Sequence, residues 1–338
     1  MSQEDQLPTG TMTNPDDSFG LPDLGRLREW RQQIQEGAGE EPSQPQQSWL
    51  RRQWWRLREA ANLQRETALV ITDPGERRGL VPETVIVLGV SLGVSAIRSI
   101  LMLIDIMTRQ RLASTTVYIN NSVTPDRPWL DVMNQLANIA ITLAPVVLAL
   151  YLLATIRRPA AGPLHVMGLS LGNLKRDLAL GSIMAAGVGL PGLALYAVAR
   201  AIGINATIAA GNLAAHWWTI PMYILLAAMN GILEEVIMIG YLFTRWTQRG
   251  MHPWLVIAIS AVIRGSYHLY QGFGAFIGNV IMGAIFGWIY MRTKRVAPLV
   301  IAHTLLDVIS FVGYSLLASH WAWLGGHVVT YVATQIVR

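Results

Sequence analysis

The chain has 338 residues, 52% of them apolar and only 14% charged, and contains no cysteine. This composition excludes a disulfide-stapled domain, a thiolate metal site and a cysteine nucleophile, and its long apolar stretches describe a multi-spanning membrane protein. The net charge of +5 comes largely from Lys and Arg placed where those stretches end, so it reads as membrane topology and not as affinity for nucleic acid.

In chain order, residues 1–45 are rich in Pro, Gly, Gln and acids, a composition that cannot bury enough apolar surface to order itself. They are expected to form a disordered cytosolic tail. The opening MSQEDQLPTG is polar, so no cleaved signal is expected. Residues 46–82 form a cytosolic juxtamembrane amphipathic segment, in which Trp49, Trp54 and Trp55 alternate with Arg51, Arg52, Arg56 and Arg58. That mixture suits an anionic membrane surface, and equally a helix folded against the protein's own loops. From residue 83 to 338 the chain reads as an all-α transmembrane bundle. Spans are expected at about 84–107, 130–156, 177–203, 219–244, 254–270, 273–291 and 297–317, with a weaker eighth at 318–336. Arg157, Arg158, Lys175 and Arg176 follow the second span, Arg245 and Arg249 the fourth, and Arg292, Lys294 and Arg295 the sixth. The positive-inside rule therefore puts the amino terminus and these loops in the cytosol, in a multi-pass protein of the cell membrane, with Arg109, Arg111 and Arg127 in the first outer loop as exceptions to the pattern.

An ionisable side chain at bilayer depth costs about 2.5–3.5 kcal/mol on insertion scales, so each one asks for a role. The stretch NGILEEVIMIGYLF places Glu234 and Glu235 side by side in the fourth span. Adjacent helical positions diverge by about 100°, which implies two faces and two different partners. The fifth span aligns Ser260, Arg264 and His268 at intervals of four, and the seventh aligns His303 and Asp307 in the same way. Helical rise puts Glu234 about 15 Å in from Arg245, His303 about 9 Å and Asp307 about 15 Å in from Ala297, and His268 about 21 Å from Trp254. These depths overlap, and suggest a polar cavity opening toward the cytosol. A carboxylate there can deprotonate water while imidazoles position it and stabilise an oxyanion, the chemistry of amide hydrolysis. A catalytic zinc held by Glu234, His268 and His303 fits the same residue types. Arg98 and Asp105 in the first span read as a structural ion pair or as side chains reaching for the interface.

The ordered set resembles the motifs of the CPBP family, the CAAX-protease and bacteriocin-processing (Abi) intramembrane endopeptidases: EExxxR, then FxxxH, then HxxxN or HxxxD on separate spans. It covers about residues 177–317. The resemblance implies that Glu234 and His268 activate water, that His303 and Asp307 stabilise the oxyanion, and that the substrate is a membrane-associated peptide or protein. An ionised Asp307 would repel an oxyanion, so its expected part is to orient His303 or to donate as a neutral acid. The chain departs from the motifs twice: Ile239 stands where EExxxR has its Arg, and Arg264 where FxxxH has its Phe. Arg264 is expected to replace the missing cation and pair with Glu235, Arg245 being expected to face the cytosol instead. Uncompensated, Ile239 would mark a non-proteolytic membrane scaffold or an immunity-type relative.

Overall fold

The computed structural model describes residues 69–323 apart from 157, 160, 161, 214 and 215. The expected tail at 1–45, the Trp- and Arg-rich part of 46–68 and residues 324–336 of the expected eighth span lie outside the described residues. The chain divides between Asn62 and Leu63, and all described residues belong to the second part.

The first hydrophobic stretch is two helices, α1 (Pro74–Gly89) and α2 (Leu92–Arg109), bent by 54°. Helix α1 starts where the Asp73 carboxylate accepts from the Glu76 N–H, with Pro74 in the first turn, whose N–H needs no partner. The bend brings Gly93 so close to Leu88 that a Cβ would stand 2.6 Å from its carbonyl oxygen, which excludes any side chain there. Asp105 pairs with Arg109, one turn on and exposed, instead of with Arg98.

Strand β1 (Thr116–Asn120) follows, then α3 (Pro128–Thr155), α4 (Leu174–Ala201) and β2 (Thr207–Gly211). The strands pair in parallel, with Thr116 opposite Thr207 and Asn120 opposite Gly211. The Asn120 side chain closes the ladder by donating to the Ala210 carbonyl at 2.8 Å. This small sheet lies between spans, at the end of the bundle opposite the basic loops, and nothing in the apolar pattern announces it.

Helix α5 (Thr219–Gln248) is the centre of the bundle: 67% of its apolar window is buried, against 17–33% for the other single-helix spans. The rest present Val, Leu and Ile outward, as a lipid-facing surface requires. After α5 come α6 (Pro253–Ser266), α7 (Phe273–Thr293) and α8 (Ala297–Trp323). Because α8 runs unbroken to Trp323, residues 318–323 belong to it and not to a separate span.

Among the described residues, five helices are long and apolar enough to cross a membrane, or six when α1 and α2 count as one, against the seven spans expected between residues 84 and 317. The difference lies in α6. Its 14 residues rise about 21 Å, short of the roughly 30 Å of a hydrocarbon core. The chain continues through a tight turn at Leu269–Gln271 and reaches Gly272, which bridges to Asn205 just before β2. Gly272 has φ 120°, open to glycine and strained for other residues.

Two part-buried ion pairs fasten the basic end. Arg295, between α7 and α8, grips Asp177 of α4 with two nitrogens at 2.7 and 2.5 Å. Arg245 does not face the cytosol: it is fully buried, bonded to Glu83 of α1 at 2.6 Å and to the carbonyls of Leu152 and Ile156 at 2.8 Å. The Leu152 carbonyl already accepts from the Ile156 N–H at 2.9 Å and the Ile156 carbonyl lies just past the last turn of α3, so the guanidinium caps the negative end of that helix.

Candidate active site

At Glu235 the regular winding of α5 gives way to a π-helical stretch, Glu235–Tyr241, before the α-helix resumes at Leu242. Each turn there holds an extra residue, which widens the helix and narrows the angle between successive side chains. The Ser260 hydroxyl of α6 donates to the Met238 carbonyl at 3.0 Å, serving a backbone group inside this stretch. Glu234 and Glu235 stand at its start and have different hydrogen-bond partners, Tyr267 for Glu234 and Arg264 with His303 for Glu235, although Arg264 and His303 lie near both carboxylates. The Arg264 guanidinium lies 2.7 Å from Glu235 and 3.7 Å from Glu234, and the His303 Nδ1 lies 2.7 Å from Glu235 and 4.0 Å from Glu234.

Arg264 is fully buried, pairs with Glu235 and stacks over the Phe286 ring at 5.6 Å. It reaches that place because α6 and α7 pack closely through Gly283, whose missing Cβ would stand 3.1 Å from the Arg264 Cδ. Ile239, the residue where EExxxR carries Arg, is fully buried in the apolar core. The cation therefore comes to Glu235 from α6 instead of from one turn further along α5.

Because Arg264 keeps Glu235 as an acceptor, the His303 Nδ1 must carry the hydrogen of the 2.7 Å bond to it. That fixes the ring and leaves Nε2 as its other polar atom. On the second carboxylate, the Tyr267 hydroxyl donates to Glu234 Oε2 at 2.7 Å, while Glu234 Oε1 stands 3.8 Å from His268 Nε2. The His268 Nε2 is buried and has no hydrogen-bond partner among the described residues. Its Nδ1 approaches the Gln271 amide at 3.5 Å, and Gln271 donates to the Tyr270 hydroxyl at 2.9 Å. Among the described residues no hydrogen bond joins Asp307 to His303. The bonded partner of Asp307 is Asn230, whose Nδ2 donates to Asp307 Oδ2 at 2.9 Å.

The structure thus brings together Glu234, Glu235, Arg264, His268 and His303, with Asp307 held beside them through Asn230. The motifs carry no sign of Tyr267 or Asn230 as contacts to the acids. Asn230 could have been found from its spacing, since it stands one α-helical turn before Glu234. Toward the basic end the cluster is sealed by the fully buried Met238, Ile239 and Ser260. Its polar lining continues the other way, through Asn230, Asp307, His268 and Gln271 toward the sheet, and not toward the basic loops as expected. The reason is directional: α5 enters from the sheet end, so Asn230 precedes Glu234, whereas α6 and α8 enter from the basic end, so His268 and Asp307 lie beyond Arg264 and His303.

Glu234, Glu235 and His303 each offer a ligand atom within 4.8 Å of the others, the dimension of a metal shell. The charges fit a metal poorly. The Arg264 guanidinium already holds the positive position between both carboxylates, and a divalent ion would face it across a dry interior at a few ångströms. His268 is not part of that set.

Residues 216–309 match the family model of the type II CAAX prenyl endopeptidases, Rce1-like. The matched segment runs from just before α5 through His303 and Asp307 in α8, and so carries every member of the cluster. This agrees with the CPBP resemblance read from the motifs. No match was found among curated proteins or among solved structures.

Proposed function

We propose that this chain, which carries a type II CAAX prenyl endopeptidase Rce1-like segment at residues 216–309, is an intramembrane endopeptidase that hydrolyses a peptide bond of a membrane-associated protein or peptide. One observation carries the reading. A buried carboxylate, Glu234, is held on one oxygen by Tyr267 and faces, across 3.8 Å, an imidazole nitrogen that has no hydrogen-bond partner among the described residues. That spacing is too long for a direct hydrogen bond and suits a polar atom shared by both groups.

In this mechanism a water is held between Glu234 Oε1 and His268 Nε2. Glu234 takes its proton as the oxygen attacks the scissile carbonyl carbon, and the same proton then passes to the leaving amine as the C–N bond breaks. Negative charge gathers on the carbonyl oxygen, where His303 Nε2 can donate if the ring is charged. Glu235 and Arg264 do not meet the substrate. They compensate each other's burial and hold His303 in register. No step runs through a metal.

The competing reading, a non-proteolytic scaffold or immunity-type relative, rests on Ile239, and Arg264 supplies the cation that Ile239 lacks. Purified protein reconstituted in liposomes should cleave members of a membrane-tethered peptide library that includes prenylated CaaX-ended peptides. Glu234→Gln should reduce the rate by about 10²–10⁴, the usual contribution of a general base. Addition of a strong chelator should leave the wild-type rate unchanged. Equal cleavage by Glu234→Gln, or none by wild type, would overturn the hydrolase reading, and chelator-sensitive activity would overturn the metal-free mechanism.

A further inference from the structure

We infer that Asn230 supplies a neutral hydrogen-bond donor to the oxyanion and that Asp307 is the residue that aims it, an inference that rests on the hydrolase reading above. An oxyanion calls for N–H or O–H donors, and an ionised Asp307 offers none. The geometry provides one next to it. Asn230 precedes Glu234 by four residues within the regular part of α5, so the two side chains share a face and stand one turn apart. Asp307 follows His303 by four on α8 in the same way. The paired helices therefore present two stacked layers: Glu234 and Glu235 with His303, and one turn toward the sheet, Asn230 with Asp307.

The bond between Asn230 and Asp307 makes the second layer directional. A carboxylate accepts only, so the amide nitrogen faces Asp307 and the amide oxygen turns away. A primary amide carries two N–H groups, one spent on Asp307 and the other without a bonded partner among the described residues. Both residues are partly exposed, unlike Glu235 and Arg264, so the layer they form is more accessible than the buried ion pair one turn away. The arrangement repeats the exchange seen at Arg264: a group expected on one helix is delivered to the site from its neighbour.

The decisive variants are Asn230→Ala, Asn230→Asp, Asp307→Asn and the reciprocal double Asn230→Asp with Asp307→Asn. The readouts are kcat and KM on the best-cleaved library peptide, and the Kd of that peptide against its phosphinate analogue, an anion shaped like the tetrahedral intermediate. Asn230→Ala should lower kcat by about 10²-fold, in the range for one oxyanion donor, and phosphinate affinity comparably, leaving KM and peptide affinity nearly unchanged. Asn230→Asp should be worse, since it faces two carboxylates toward each other. The double variant, which moves the amide to α8, should recover at least tenfold over Asn230→Asp. Equal loss of peptide and phosphinate affinity, or a lowered melting temperature with unchanged kcat, would assign Asn230 a structural role and sink the inference while leaving Glu234 in place. Failure of wild type to bind the phosphinate or to cleave would sink the hydrolase reading itself.

Discussion

Glu235 is held by Arg264 and His303 at once, each at 2.7 Å, and all three side chains are almost wholly buried. Removing one member of such a pair strands a charge without water, at a cost of about 3–5 kcal/mol, whereas replacing both with neutral groups is far cheaper. Arg264→Leu should therefore abolish recovery of folded protein or lower its melting temperature sharply, as read by thermal unfolding in detergent. Glu235→Gln with Arg264→Gln should restore much of that loss. If the double variant is no more stable than Arg264→Leu alone, Arg264 and Glu235 are not a compensating pair. At this scale the ionisable residues were the legible part of the sequence, because a charge in an apolar run stands out by its cost. Tyr267 and Asn230 were not legible as partners of the acids, since neutral polar residues are common in spans and only the fold says which acid they touch. Arg245 misled for the opposite reason: a cation at a span's end resembles a cytosolic anchor until the ends of α3 are known to surround it.

Helices α5 and α8 meet at Gly231, where a Cβ would stand 2.6 Å from the Thr304 hydroxyl and 3.1 Å from the Val300 carbonyl. Thr304 is the neighbour of His303, so this contact sets how far the imidazole reaches toward Glu235. Gly231→Ala should cost modestly, and Gly231→Leu should force the helices apart, with loss of cleavage and a destabilisation of about 1–3 kcal/mol by overpacking. Full activity in Gly231→Leu would show that the spacing between α5 and α8 does not govern the site. Most elements were readable as apolar runs of spanning length. The bend between α1 and α2, the π-helical stretch and the early stop of α6 were not. Hydrophobicity reports that a segment is buried in lipid or protein, but it is nearly blind to how the backbone winds there. The strands escaped for a similar reason, being too short to show a period.

Among the described residues, the basic connections after α3, α5 and α7 lie at one end and the sheet, with Arg109, Arg111 and Arg127 near it, at the other. The chain lacks cysteine, so single introduced thiols report sidedness without background. Val123→Cys, near β1, and Lys175→Cys, at the start of α4, are both exposed positions and should react with a membrane-impermeant maleimide from opposite sides. With the basic loops in the cytosol, Val123→Cys labels in intact cells and Lys175→Cys only after permeabilisation; labelling of both from one side would overturn this topology. The brevity of α6 then bears on how a hydrolase obtains its reagent inside oil. Leu255 and Val262 give this helix an outward apolar side, yet it ends well before a full bilayer's thickness, with His268 just past its last turn. Lipids beside so short a wall must shorten or tilt to match it, and this hydrophobic mismatch carries their headgroups inward along that flank. On the proposed hydrolase reading, this lowers the aqueous phase toward the imidazole, so that the reacting water travels a dip in the bilayer instead of crossing its core.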